Sequence, residues 1–169
     1  MIDIIMGSKK SDQPLWEESK AKEVLTECGI PWRLSYISAH RHPEKLKKHC
    51  GDVMLGGVDA FIAAAGMAAH LPGAVATNSG FIIPVIGVAL PSKEFPNAMD
   101  ALMSIARMPA GCPVAVAGIG ASGLRNAAIY AASIVANKNK KVKEALAAYL
   151  KKNTPAPDEN CESSEGEGQ

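Results

Sequence analysis

A six-residue segment at 38–43, SAHRHP, contains side chains that could transfer a proton and hold an anion. It follows a short apolar run of strand length, so its polar residues would lie at the end of a strand. His40 can take up and return a proton near neutral pH, and Arg41 can hold a phosphate through two parallel hydrogen bonds. A lone loop histidine is more often structural, but the adjacent arginine and the strand end favour a site. His40 is therefore a candidate catalytic residue, and Ser38 and Arg41 are candidate substrate-binding residues, with a purely structural histidine as the alternative.

A second polar segment at 7–13, GSKKSDQ, follows the first apolar run and precedes a helical pattern. Helix N-termini attract phosphate because their first N–H groups have no partner within the helix. Ser8 and Ser11 can donate hydroxyl hydrogen bonds, and Asp12 can accept one from a ribose hydroxyl. Alternatively, Ser11 or Asp12 serves only to cap a helix that begins at Pro14. The segment has neither the GxGxxG nor the GxxxxGK[ST] pattern, so binding of dinucleotides or ATP is not predicted.

A third segment at 64–73, AAGMAAHLPG, is built almost wholly from small residues. Small side chains let backbone N–H groups face a ligand and let a flat ring lie close to the chain. A tight turn packed against a helix is the alternative, and His70 would then be an interface or capping residue. The substrate-binding residues predicted in this segment are Gly66, Ala68, Ala69, His70 and Leu71.

Short apolar runs that alternate with helical patterns must position these three segments. We predict strands at 2–6, 32–38, 60–65, 84–88 and 113–118. We predict helices at 14–28, 43–55, 98–107, 122–136 and 138–152. This alternation is typical of right-handed βαβ units, in which helices cover both faces of a parallel sheet. Ligands of such sheets bind beyond the carboxyl ends of the strands, where the three segments would meet.

The chain length and the alternation of strands and helices predict one α/β domain, the catalytic domain, over residues 1–153, and the composition of residues 154–169 predicts a disordered acidic tail. Hydrophobic residues make up 47% of the chain but aromatic residues only 5%, so small and aliphatic side chains must pack the core tightly. The tail is rich in Pro, Glu, Ser and Gly and cannot bury apolar area. The four cysteines show no CxxC pair and no metal-ligand spacing, so neither a disulfide nor a zinc site is predicted.

Charge and hydropathy argue against several classes of partner. Net charge is +1, and six lysines fall within residues 138–152, where the solvated face of one amphipathic helix explains them. Tyr149 is the only aromatic residue among these lysines, which is too few for a row of stacking platforms, so nucleic-acid binding is not predicted. The chain begins without a basic signal region and has no apolar run of about 18 residues, which predicts a cytoplasmic protein without a membrane span.

Taken together, the motifs resemble the AIR carboxylase family and, within it, the class I N5-carboxyaminoimidazole ribonucleotide mutases. The resemblance covers residues 1–150. Its motifs stand in the family's order and in the expected loops, which makes the match specific. In chain order they read GSKKSD, SAHRHP, AAGMAAHLPG, PVIGV, SIARMPAGCPVAVAGIG and NAAIYAASI.

The resemblance implies a three-layer, flavodoxin-like fold, a homo-octamer with sites at subunit boundaries, and neither a metal nor an organic cofactor. It implies a phosphorylated ribonucleotide substrate and an isomerase reaction of purine biosynthesis. It also implies that Ser8 and Asp12 bind the substrate, that Arg41 contacts its phosphate, and that His40 is the general acid and base. The backbone of residues 68–71 would flank the carboxylate or a transient carbon dioxide.

Three departures from the family pattern could alter the site. The first loop usually reads GSKSD, so this chain has one extra lysine. Met67 stands where a second glycine is common and could crowd the carbon dioxide pocket. Arg107 stands where a glutamine is usual.

Two other functions remain open at this point. One is that of the related class II carboxylases, which use free carbon dioxide. These usually carry AHK and lack AAHLPG, whereas this chain has Ala39-His40-Arg41 and AAHLPG. The other is a non-catalytic nucleotide-binding protein on the same fold, since a fold does not determine a function.

Overall fold

A computed structural model describes residues 1–153 of the chain. The predicted acidic tail at 154–169 lies outside these residues. The described part is an α/β structure in which one sheet lies between two layers of helices. No helix within residues 1–153 is long and apolar enough to cross a membrane.

The central sheet has five strands, all parallel, in the order β2-β1-β3-β4-β5. The strands are β1 Ile2–Met6, β2 Trp32–Tyr36, β3 Ala60–Gly66, β4 Val85–Leu90 and β5 Ala115–Ile119. The chain adds β2 on one side of β1 and β3 on the other, so the sheet has its topological switch point between β1 and β3. This strand order is that of the flavodoxin-like fold, and the predicted fold class is confirmed.

Alternate side chains of β1 divide the core between the two helix layers. Ile2, Ile4 and Met6 pack with the first layer, whereas Ile5 packs with the second. The first layer consists of α1 Lys9–Glu18, α2 Ala21–Glu27, α6 Gly120–Ala136 and α7 Lys140–Asn153. The second consists of α3 Pro43–Leu55, α4 Leu71–Asn78 and α5 Met99–Ala106.

The predicted close packing of helix on sheet is observed between α6 and β5. A Cβ atom added at Gly123 would lie 2.6 Å from the backbone carbon of Gly118 and 3.0 Å from a methyl group of Val88. Only a residue without a side chain fits at this contact, because real Cβ atoms do not approach backbone so closely.

The prediction of one helix over 14–28 was wrong, and one further helix was missed. The first helix begins at Lys9 instead of Pro14, and Pro14 lies inside it. The helix then breaks near Ser19, whose hydroxyl donates to the Trp16 carbonyl and accepts from the backbone of the next helix, and Lys20 has a φ of 59°. The helix α4 was not predicted, because its sequence, LPGAVATN, begins with residues typical of turns.

Candidate active site

One cavity lies at the carboxyl ends of β1, β2, β3 and β4, beside the topological switch point. Its volume is about 580 Å³, against about 300 and 410 Å³ for two other clefts in the described part of the chain. The predicted site residues that line it are Ser8, Ser11, Asp12, Ser38, His40, Arg41, Gly66, Ala68 and Leu71. Three segments separated by more than twenty residues in the sequence thus meet at one cavity, as the strand-end rule predicts.

The first turn of α1 forms one wall, and Asp12 organises it. This carboxylate is 6% exposed. Its Oδ2 atom accepts the Ser8 N–H at 2.8 Å, and its Oδ1 atom accepts the Ser11 hydroxyl at 2.5 Å. The alternative of a helix that starts at Pro14 and is capped by Ser11 or Asp12 does not hold as stated, because α1 starts at Lys9 and Asp12 lies within it, reaching back to the backbone of Ser8. A carboxylate has about four acceptor positions, so Asp12 can still accept a hydroxyl hydrogen bond from a ligand.

The histidine of the second segment contacts the histidine of the third. The Nε2 atom of His40 lies 2.8 Å from the Nδ1 atom of His70, and the two rings meet edge to face. One of these nitrogens donates and the other accepts, so the pair shares one proton across the contact. His40 lines the cavity, whereas His70 does not and is exposed beside it. The prediction that His70 acts through its backbone missed this side-chain contact.

The third segment makes the opposite wall from small residues. A Cβ atom added at Gly66 would lie 2.9 Å from the carbonyl oxygen of Leu90, so a glycine is needed for the close approach of β3 to the end of β4. Ala69 does not reach the cavity, because its side chain is buried in the core with the α3, α4 and α5 layer. Met67, in contrast, does line the cavity.

A fourth lining segment was not predicted. Pro91, Ser92 and Lys93 follow β4 and contribute to the cavity. The Ser92 hydroxyl accepts the N–H of Phe95 at 3.1 Å, which holds the loop in a turn. The same strand-end rule that located the first three segments applies to this one, so the lysine after the run PVIGVALPS was a usable signal.

The charged side chains of the cavity suit a ligand that has anionic groups at its two ends and hydroxyl groups between them. Arg41 and Lys93 are cationic and come from loops on opposite sides of β1 and β3, while Asp12 is the acid between them. Within residues 1–153, no three His, Cys, Asp or Glu side chains are grouped so as to hold a metal ion. The cavity can therefore bind an anion at either end and offer His40 for proton transfer.

The groups with shifted acidity lie outside the cavity lining. Burial, and then the charges of Glu17 and Asp12, raise the pKa of Tyr36, which keeps its phenol protonated. Burial, and then the carboxylate of Asp3, raise the pKa of Cys50 to about 11. Cys28, Cys50 and Cys112 are all free thiols. The raised pKa values make the two buried cysteines poor nucleophiles, so they are structural.

The sequence model of the AIR carboxylase family matches residues 1–156. N5-carboxyaminoimidazole ribonucleotide mutase of Pyrococcus horikoshii is 42% identical over 151 residues, or 89% of this chain and 81% of the relative. The mutase of the same name from Aliivibrio fischeri is 39% identical and covers 97% of this chain and 98% of the relative. The crystal structure of Treponema denticola PurE matches with a TM-score of 0.73 and 27% identity over 90% of both chains. With its whole described fold and most of its length matched, this chain belongs to the AIR carboxylase family.

Proposed function

We propose that the protein is an N5-carboxyaminoimidazole ribonucleotide mutase, an isomerase of de novo purine biosynthesis. The reaction moves a carboxylate from the exocyclic nitrogen of the substrate to carbon 4 of its imidazole ring. The observation that carries the proposal is the position of His40, which lines a cavity with cationic side chains on two sides and small residues on a third. The relatives in Pyrococcus and Aliivibrio bear the name of this activity.

His40 supplies both proton transfers of the proposed mechanism. It first protonates the exocyclic nitrogen as the nitrogen–carbon bond of the carbamate breaks, which gives aminoimidazole ribonucleotide and carbon dioxide. Carbon 4 of the ring then bonds to carbon dioxide, and His40 recovers the proton that carbon 4 loses. Atoms and charge balance, so neither ATP nor a redox partner is consumed. One imidazole can act in both directions, because it is an acid when protonated and a base when neutral.

The remaining contacts bind the substrate in its ground state. Arg41 and the first free N–H groups of α1 hold the phosphate, for which a guanidinium and a helix N-terminus are both suited. Asp12, held by two hydrogen bonds from its own helix end, accepts a ribose hydroxyl. Lys93 offers a second positive charge for the carboxylate end of the substrate. The backbone around Ala68 faces the carbon dioxide formed between the two steps.

A parallel assay of two substrate sets tests the activity. The protein is given N5-carboxyaminoimidazole ribonucleotide in one arm and aminoimidazole ribonucleotide with bicarbonate in the other, and the carboxylated imidazole is followed by its ultraviolet absorbance. The mutase proposal expects fast turnover in the first arm only. Fast turnover in the second arm would instead identify a class II carboxylase. No turnover in either arm, with retained substrate binding, would identify a non-catalytic nucleotide-binding protein.

We propose that the protein assembles as a homo-octamer and works in the cytoplasm. Large apolar side chains exposed around the β5 edge of the sheet support an assembly: Met99, Met103, Val116, Ile119 and Tyr130. The free thiols among residues 1–153 suit a reducing compartment. Light scattering after size-exclusion chromatography tests the first part, since an octamer has eight times the 17.7 kDa mass of the chain.

A further inference from the structure

Met67 is an unusual residue for the place it occupies. Its side chain is 56% exposed although it is large and apolar, and it lines the cavity. Its φ is 57°, in the left-handed region that favours glycine. Backbone strain acts against the folded chain, and strain of this kind is concentrated at functional sites. Met67 therefore invites a functional explanation.

The turn around Met67 holds the side chain at the cavity. The preceding residue, Gly66, is fixed against the end of β4, where a Cβ atom would lie 2.9 Å from the Leu90 carbonyl oxygen. After it, the N–H of His70 donates to the carbonyl of Ala68 at 2.7 Å, which tightens the turn. The backbone on both sides is thus constrained, while the methionine side chain keeps its three rotatable bonds.

We propose that the Met67 side chain folds over the bound imidazole ring and retains the carbon dioxide released there. The inference rests on the proposed mutase function and deepens it. Carbon dioxide is neutral once the nitrogen–carbon bond has broken, so Arg41 and Lys93 cannot hold it by charge. Its retention needs apolar walls, and the other apolar residues of the lining are short or, like Leu71, already buried. Met67 is the long, adaptable apolar side chain that remains at the mouth.

Retention matters because the second step requires the gas that the first step makes. When carbon dioxide stays beside the ring, carbon–carbon bond formation is local instead of bimolecular, which favours transfer over escape. If it leaves, hydration in solvent gives bicarbonate, and aminoimidazole ribonucleotide is left behind. Met67 therefore determines the fraction of turnovers in which carbon dioxide escapes.

The test follows the label in a substrate whose carbamate carbon is ¹³C, in unlabelled buffer. Met67→Gly removes the side chain and the strain of the positive φ. Met67→Ala shortens the side chain to a methyl group and keeps the strain. Loss of label from the carboxylated product and accumulation of aminoimidazole ribonucleotide are measured by mass spectrometry and corrected for breakdown without enzyme. We expect label loss to rise several-fold in both variants and to return toward the wild-type value in Met67→Leu.

Leu55→Ala is the matched control, since Leu55 is 91% exposed and apolar but does not line the cavity. It is expected to retain label like the wild type. Unchanged label retention in both Met67 variants would overturn the inference, and so would a rise in KM without label loss, because that would make Met67 a ground-state contact only. If the wild-type protein did not convert the substrate at all, the proposed function itself would fail, which is a distinct result.

Discussion

Substitution of the two touching histidines, one at a time, separates a proton carrier from its neighbour. His40→Asn keeps part of the size and hydrogen bonding of the side chain but removes its titratable site. Loss of a general acid and base typically lowers the rate about 10²–10⁴-fold, which equals about 2.7–5.4 kcal/mol at about 1.36 kcal/mol per factor of ten. We expect the upper part of this range, because His40 serves both proton transfers.

His70→Asn should lower the rate much less than His40→Asn does. The only side-chain contact of His70 among the described hydrogen bonds is the 2.8 Å contact with His40. A single hydrogen bond has a net worth of about 0.5–1.5 kcal/mol, so kcat should fall about 2- to 13-fold. Since His70 acts on the orientation and proton of His40, the change should appear in kcat, with KM nearly unchanged.

The assay compares kcat, KM and direct substrate binding for the wild type and both variants, with circular dichroism as a check of folding. His40→Asn should bind the substrate and fail to turn it over. The assignment is refuted if His70→Asn abolishes turnover while His40→Asn stays near the wild-type rate. Equal losses in both variants would also contradict it, because the contact would then be a catalytic unit of two proton carriers instead of one carrier and its positioning partner.

Four further substitutions probe binding and stability. Arg41→Ala should raise KM about 10- to 150-fold, the loss of about 1.5–3 kcal/mol from a hydrogen bond to a charged group, with little change in kcat in steady-state assays. Gly66→Ala should lower the free energy of unfolding in urea by about 1–3 kcal/mol, because its Cβ would meet the Leu90 carbonyl. Gly51→Ala is the matched control: it has open space on α3 and should raise the free energy of unfolding by about 0.5–1 kcal/mol. Asp3→Asn should lower the free energy of unfolding by about 2–4 kcal/mol, the range for a broken buried ion pair discounted for a half-exposed partner.

The value expected for Asp3→Asn is based on a buried cluster of charged side chains at the amino-terminal end of β1. Asp3 is fully buried and accepts from Arg33 Nε at 2.8 Å and from His49 Nε2 at 2.7 Å. Arg33 is 46% exposed, so water can solvate it once its partner is neutral. If Asp3→Asn unfolds at the same urea concentration as the wild type, the charge cluster makes no net contribution to stability. The reduction made for the exposure of Arg33 is then too small.

The sequence was sufficient for the sheet and for most of the cavity lining. Buried strands read as continuous apolar runs, and parallel strands bring their carboxyl ends to one edge, so Ser8, Ser38 and Gly66 could be placed together without coordinates. The limits of α3 were also predictable, since Pro43 begins it and Gly56 follows it. These features depend on local pattern and on a general rule of topology.

What depends on tertiary geometry could not be predicted in the same way. The contact of His40 with His70 joins residues thirty positions apart, and it depends on side-chain rotamers at the ends of β2 and β3. Ala69 looked like its neighbours in the small-residue segment, but the direction of the turn sends its side chain into the core. No periodicity in so short a segment distinguishes a residue that faces the ligand from one that faces away.

The extra lysine of the first loop shows how a helix end can accommodate an insertion. In the usual GSKSD pattern, the aspartate follows the serine by three residues, the spacing at which a side chain reaches back to the N-cap N–H. Here the spacing from Ser8 to Asp12 is four, yet Asp12 still accepts the Ser8 N–H at 2.8 Å and still lines the cavity. Residues three and four apart lie on the same face of a helix. The insertion therefore moves Asp12 along that face without turning its side chain away from the cavity. Lys9 and Lys10 are exposed at the helix start, so the additional lysine needs no space in the core.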